Sequence, residues 1–191
     1  LEKQNWYPVS KMRAEKLAWK LSKEMNINLA VMNPCLIWGE MLGSSLNTSS
    51  GAILSYLNGS RNLIQNCTKC VVAVEDVALA HILAYEKGLT HPEIIYGQRY
   101  LLVGACPAWS DVSNVLQEWS KKNNLTLPIP TEVDSTLPPS GLGADPPAVT
   151  PFNVSRANEL LGLQFRSMEQ MVNDTADSLL RHGYVKESKE E

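Results

Sequence analysis

The stretch Leu29-Ala30-Val31-Met32-Asn33-Pro34-Cys35-Leu36-Ile37-Trp38-Gly39 decides the fold class. Its first four residues form a short apolar run of the kind a buried parallel strand shows. A Pro-containing turn follows at the strand's carboxyl end, where open α/β sheets collect their ligands. Upstream, residues 6–25 carry small and apolar side chains at helical spacing, separated from the strand by Asn26-Ile27-Asn28. Pro8 is tolerable only in a first turn, so the helix starts at or near Tyr7. Helix, strand and a loop at the strand's carboxyl end make half of a βαβ unit, and the expectation is an α/β protein.

Tyr7 and Lys11 stand four residues apart, so a phenol and an ammonium share one helix face. A cation held there favours the phenolate over the phenol. A tyrosine tuned in this way can give a proton to a carbonyl oxygen, or take one from an alcohol. Tyr7, Lys11, Ala14, Ala18, Leu21 and Met25 form one stripe, with Arg13, Glu15, Lys16, Lys20, Lys23 and Glu24 mostly off it. The pair is therefore expected to top a buried face. The alternative is an ordinary amphipathic helix whose first turn carries Tyr and Lys.

Further elements follow in βα order. Residues 42–50 are small and polar and precede a helical stretch at 52–57; such hydroxyls and amides suit an N-cap or a bound phosphate. Val71-Val72-Ala73-Val74 reads as a strand, and Glu75-Asp76 opens a helix over 77–87 with acids well placed at its N-terminus. His81 falls inside that helix as a packed or capping histidine; His91 and His182 fall in a loop and at a helix end. Residues 99–103 read as a strand, and 109–122 as a helix. Residues 127–151 are dense in Pro, Gly and Ser and read as irregular. Helices over 153–161 and 168–181 close the chain, and residues 186–191 should fray.

The 191 residues suit one domain or a domain and a half, and the apolar fraction of 44% is enough for a core. A net charge of -3 gives no basic footprint, which argues against nucleic acid and anionic membranes as partners. No apolar run approaches a membrane span. Cys67 and Cys70 have the C-x-x-C spacing of half a zinc site or a redox pair, but no second pair completes a metal set. With Cys35 and Cys106 they read as free thiols of a cytoplasmic protein. Six N-x-S/T sequons, at Asn47, Asn58, Asn66, Asn124, Asn153 and Asn173, read as chance matches.

Several weak motifs occur in family order. Trp6 through Gly39 and Val72-Ala73-Val74-Glu75-Asp76-Val77-Ala78-Leu79-Ala80-His81 resemble the extended short-chain dehydrogenase/reductase superfamily, also known for its NAD-dependent epimerases and dehydratases. Within it, the chain is similar to the dihydroflavonol reductase and cinnamoyl-CoA reductase-like group. Gly97-Gln98-Arg99-Tyr100-Leu101-Leu102, Leu127-Pro128-Ile129-Pro130-Thr131, the segment from Phe152 to Leu163, then Asp174-Thr175, Ser178-Leu179 and Gly183 extend the resemblance over nearly the whole chain.

The resemblance implies an α/β fold comprising the C-terminal part of a Rossmann-like parallel sheet with a smaller mixed α/β substrate lobe. Residues 1–104 would belong to the NAD(P)-binding domain with interleaved substrate-lobe segments, and 105–191 mostly to the substrate-binding lobe. It implies NADPH-dependent carbonyl reduction, or the reverse oxidation, with Tyr7 as general acid and Lys11 beside it on the nicotinamide ribose. Pro34, Cys35, Leu36, Ile37 and Ser49 would frame the NADP(H) nicotinamide, Ser49 by its spacing from Pro34; no metal is implied. Where the family has prolines, this chain has Glu40, Asn47 and Thr48.

No G-x-x-G-x-x-G or G-x-G-x-x-G turn occurs, nor does the family's catalytic Ser or Thr upstream of the tyrosine. The chain reads as the C-terminal part of a longer protein, expected to be poorly soluble or partly unfolded alone. Cinnamoyl-CoA reductases resemble one another in N-W-Y-C-Y-G-K, whereas Asn5-Trp6-Tyr7-Pro8-Val9-Ser10-Lys11 stands here. That points to a related ketone or aldehyde reductase with a bulky apolar substrate, walled by residues 41–46 and 137–149. A sterol dehydrogenase, a nucleotide-sugar epimerase, or a truncated paralogue without catalysis are the competing readings.

Overall fold

A computed structural model of the chain describes residues 6–136 and 152–186. Helix α1 (Trp6–Glu24) opens with Pro8 in its first turn. The chain then enters strand β1 (Val31–Pro34), which pairs in parallel with β4 (Arg99–Leu102) in the register Val31↔Arg99 to Pro34↔Leu102. At Cys35 the chain changes partner. The Cys35 amide still donates to Leu102 O (3.3 Å), but the Leu36 amide donates to Cys70 O (3.2 Å). Strand β2 (Leu36–Trp38) then runs parallel to β3 (Val71–Ala73).

These strands refine the expectation in two places. The first lies two residues further on than its apolar run, because Leu29 precedes the ladder and only accepts from Gly97 N (2.8 Å). The expected turn is itself a strand over Leu36–Trp38. Pro34 lacks an amide and sits at the last position of β1, where that loss costs least.

Helix α2 (Thr48–Leu57) is capped by Asn47, whose side chain accepts from Ser50 N (2.8 Å). Helix α3 (Val74–Thr90) follows β3 directly, with Glu75 and Asp76 in its first turn, and α4 (Pro92–Ile95) leads into β4. Helices α5 (Trp109–Lys122) and α6 (Met168–Arg181) occupy the positions the sequence indicates. Ser167 and Gln170 close a capping box at the start of α6, Ser167 Oγ accepting from Gln170 N and Gln170 Oε1 from Ser167 N. Only a π-helical turn, Ala157–Leu161, follows the two helical residues 155 and 156, and Gly162 ends it at φ 73°. Residues 127–136 are irregular apart from a bridge of Ile64 to Val133. The expected substrate wall at 137–149, and all but residue 186 of the expected fraying end at 186–191, lie outside the described residues.

Two apolar cores result. One joins α2, α5 and α6 to β2 and β3 around Trp38, Tyr56, Trp109, Leu116 and Leu179. Trp109 stacks on Tyr56 at 4.8 Å and lies tilted against Trp38 at 5.7 Å. The second joins α3 and the π-turn to β1 and β4 around Tyr100, Leu102, Leu161 and Leu163.

The expected buried stripe of α1 is not what faces the sheet. No α1 residue is buried, and Tyr7, Leu21 and Met25 are exposed. The line of Glu15, Ala18, Trp19 and Ser22 is half-buried instead. An ion pair explains this rotation: Glu15 binds Arg99 of β4 through two bonds, one of them Arg99 Nη2 to Oε2 at 3.1 Å, and also accepts from Trp19 Nε1 (3.0 Å) and Asn33 Nδ2 (3.3 Å). His81 is exposed, its Nδ1 2.7 Å from Val77 O, and is not packed.

Candidate active site

Three segments far apart in sequence, together with Val74 at the start of α3, converge on one cavity of about 800 Å³. The start of α1 contributes Tyr7 and Lys11, the β1–β2 segment contributes residues 34–41, and the N-terminus of α2 contributes Asn47, Thr48, Ser49 and Ser50. All seven residues singled out in the sequence, Tyr7, Lys11, Pro34, Cys35, Leu36, Ile37 and Ser49, line it. Lys11 Nζ lies 5.5 Å from the centre of the Tyr7 ring, within cation–π range. Tyr7 itself is 69% exposed at the cavity mouth.

The backbone delivers these groups for local reasons. Pro8 fixes the first turn of α1, and Ser10 Oγ donates back to Tyr7 O (2.7 Å). Glu15 ties that helix to β1 and β4. Its carboxyl is lowered to about 2, first by the hydrogen bond from Arg99 and against the cost of burial, so it stays ionised. Burial pushes the Cys35 thiol up to about 12, which leaves it a neutral wall of the cavity and no nucleophile.

The cavity floor is held by the last helix. Gly39 N donates to Thr175 Oγ1 (2.8 Å), and Met41 N to Ser178 Oγ (2.9 Å). His182 Nε2 lies 2.9 Å from Met41 O, and Arg181 pairs with Glu40 at 2.8 Å. Gly39 has φ 131°, and a Cβ there would come within 2.8 Å of Val74 Cγ1. Of the expected substrate wall at 41–46, Met41 is buried and lines the cavity, whereas Leu42 is almost wholly exposed.

Several contributors were not assigned to the site from the sequence. Glu15 reads there as one of many solvated charges, since its partner is 84 residues away. Thr175 and Ser178 had a signal: they share the buried face of α6 with Met171 and Leu179, and a buried hydroxyl requires a partner. Among the described residues no group of three His, Cys, Asp or Glu is placed to hold a metal. Among them too, no helix is long and apolar enough to cross a membrane.

Comparison with known proteins places this arrangement. The chain is 35% identical over 182 residues to cinnamoyl-CoA reductase 1 of Petunia hybrida, covering 95% of this chain and 49% of that protein. Its backbone superposes on Gre2 from Candida albicans with a TM-score of 0.72 at 28% identity, over 96% of this chain and 54% of that one. Over nearly its whole length the chain is similar to part of these reductases, as the extended short-chain dehydrogenase/reductase resemblance implies. Tetraketide alpha-pyrone reductase 1 of Arabidopsis thaliana is a further relative, 30% identical over 95% of this chain and 50% of its own length. No family model matches the chain. The chain spans about half the length of the curated relatives it matches.

Proposed function

We propose that this chain carries the proton-transfer half of an NADPH-dependent carbonyl reductase. The observation that carries the reading is the convergence of Tyr7, Lys11, residues 34–37 and Ser49 on one cavity. Its volume falls within the range of about 300–1,000 Å³ usual for small-molecule sites. A phenol, an ammonium and three hydroxyls face apolar Leu36, Ile37, Met41 and Val74 across it. That donor set suits the nicotinamide-ribose end of NADPH. Residues 34–37 and Ser49 would hold the ring, and Lys11 the ribose hydroxyls.

NADPH, when bound, supplies the hydride. Tyr7 holds the proton at its phenol oxygen and gives it to the carbonyl oxygen as the alcohol forms. Lys11 keeps positive charge beside the phenol, which favours the proton's departure. Cys35 stays protonated and uncharged, so the cavity wall adds no competing nucleophile. The relatives named as reductases, among them a yeast Gre2 solved with NADPH at 24% identity to this chain, are consistent with that cofactor.

In the natural gene product that carries this sequence, Tyr7→Phe keeps the ring and removes the proton. Turnover with NADPH should fall by about 10²–10⁴-fold, with substrate binding little changed. Wild-type turnover in that variant would end the assignment. The substrate we propose is a ketone or aldehyde with a bulky apolar group, since Pro8, Val9 and Ser10 replace the residues that cinnamoyl-CoA reductases share. Apolar pockets separate close analogues by only about 1–3 kcal/mol per methylene, so acceptance should be broad. A screen of aldehydes, flavanonols and CoA thioesters decides this; exclusive use of the thioesters would refute it. The four free cysteines suit a cytoplasmic setting.

A further inference from the structure

Residues 67–71 and 105–109 form an antiparallel ribbon alongside β3. Trp109 N donates to Cys67 O (3.2 Å), Lys69 N to Pro107 O (3.1 Å) and Val71 N to Ala105 O (2.8 Å), while Ala105 N returns to Val71 O (3.0 Å). Val71 and Ala105 therefore exchange both bonds. One step along, Cys70 and Cys106 face each other as a non-hydrogen-bonded pair, the position where Cα atoms approach to about 4.5 Å. A disulfide spans Cα separations of about 4.4–6.8 Å.

The other two cysteines are placed differently. Cys35 lies on the far side of Cys70, where Leu36 pairs with Val71, but its thiol donates to Leu102 O (3.4 Å) towards β4. Cys67 is three residues from Cys70 along an extended segment, so its side chain takes the opposite face. It is buried in the core of Trp109 and Leu116, whereas Cys35 packs on the core of Tyr100. The C-x-x-C spacing does not make a pair.

We propose that Cys70 and Cys106 are a cross-strand dithiol that a peroxide converts to a disulfide. Burial, and then the neighbouring Cys70, push the Cys106 thiol up to about 12, which makes Cys106 a poor first nucleophile. The Cys70 sulfur takes one oxygen from the peroxide, becoming a sulfenic acid as water (or the alcohol of an organic peroxide) leaves. The Cys106 sulfur then attacks the Cys70 sulfur; the S–S bond forms, the S–O bond breaks and water departs with the Cys106 proton. Two thiols lose two electrons and the peroxide gains them.

Trypsin places the four cysteines on separate peptides, 24–61, 62–69, 70–87 and 100–121. The folded natural gene product is treated with one equivalent of hydrogen peroxide, its remaining thiols are alkylated, and the digest is mapped without reduction. Peptides 70–87 and 100–121 should appear joined, with two fewer alkylated thiols, both from these positions. Cys67→Ser should leave the link intact, and Cys106→Ser should abolish it. If Cys106→Ser fails to fold, the wild-type map decides alone. Unlinked peptides after oxidation, or a link that includes 62–69 or 24–61, would overturn the proposal.

Discussion

The α5–α6 side of the molecule and the α1–α3 side are built from helices of similar length and differ in what covers them. Six residues of α5 and six of α6 are buried, among them Val112, Leu116, Trp119, Met171 and Leu179, and the opposite faces are polar. Helix α3 buries only Asp76, Ala80, Ala84 and Gly88, while Leu79, Ile82, Tyr85 and Leu89 stay exposed. Helix α1 buries nothing and exposes Met12, Leu17 and Leu21. Amphipathic helices find their partners within the chain; a helix apolar on two faces is made for two neighbours. Among the described residues, only one face of α3 is covered.

The comparison breaks most readily at the centre of the covered side. Leu116→Ala leaves a cavity between α5 and its neighbours and should cost about 3 kcal/mol, read by urea denaturation. The matching change on the open side, Leu89→Ala, should stay within about 0.5 kcal/mol. Equal costs would mean that the two sides are equally packed. Gly39→Ala comes next. Its φ and the close approach of Val74 should cost about 2 kcal/mol and widen the cavity floor, so binding of a nicotinamide cofactor weakens along with stability. A neutral result would show that the Gly39–Thr175 contact is slack.

Glu15→Gln tests how α1 is held without a buried face, and should cost about 1 kcal/mol at pH 7. Its sign with pH is fixed. A carboxyl whose folded value is depressed to about 2 contributes stability that is present above the unfolded value of about 4.5. That contribution disappears as pH falls towards 2. Wild type and variant should therefore converge in thermal stability between pH 5 and 2, and parallel curves would refute the clamp. The smallest effect on stability belongs to Leu89→Ser, within about 0.5 kcal/mol, yet it should reduce binding of an apolar dye to the 191-residue chain. Unchanged dye fluorescence would place the sticky surface elsewhere.

The sequence made the covered side legible and the open side less so. Helices α5 and α6 matched their periodicity because burial and pattern agree along them. The β1 strand slid by two residues because Asn33 and Pro34 do not look like strand, and only pairing with Leu101 and Leu102 makes them so. Strand β2 was hidden for the same reason, three apolar residues behind a proline. Tyr7 and Lys11 stood out by residue chemistry and spacing, and the family resemblance singled out Pro34 to Ile37 and Ser49, which line the same cavity. The rotation of α1 was not, because it depends on one ion pair closed across 84 residues.

The bonds from Gly39 and Met41 to Thr175 and Ser178 span 136 and 137 residues. On the ribosome, Tyr7 therefore emerges long before the floor of the cavity it lines can be fastened. Contacts of such separation form late, after the chain has paid for closing the loop between them. A nascent chain stalled before residue 168 would carry Tyr7 and Lys11, but the cavity floor at Gly39 and Met41 would still lack its bonds to the last helix.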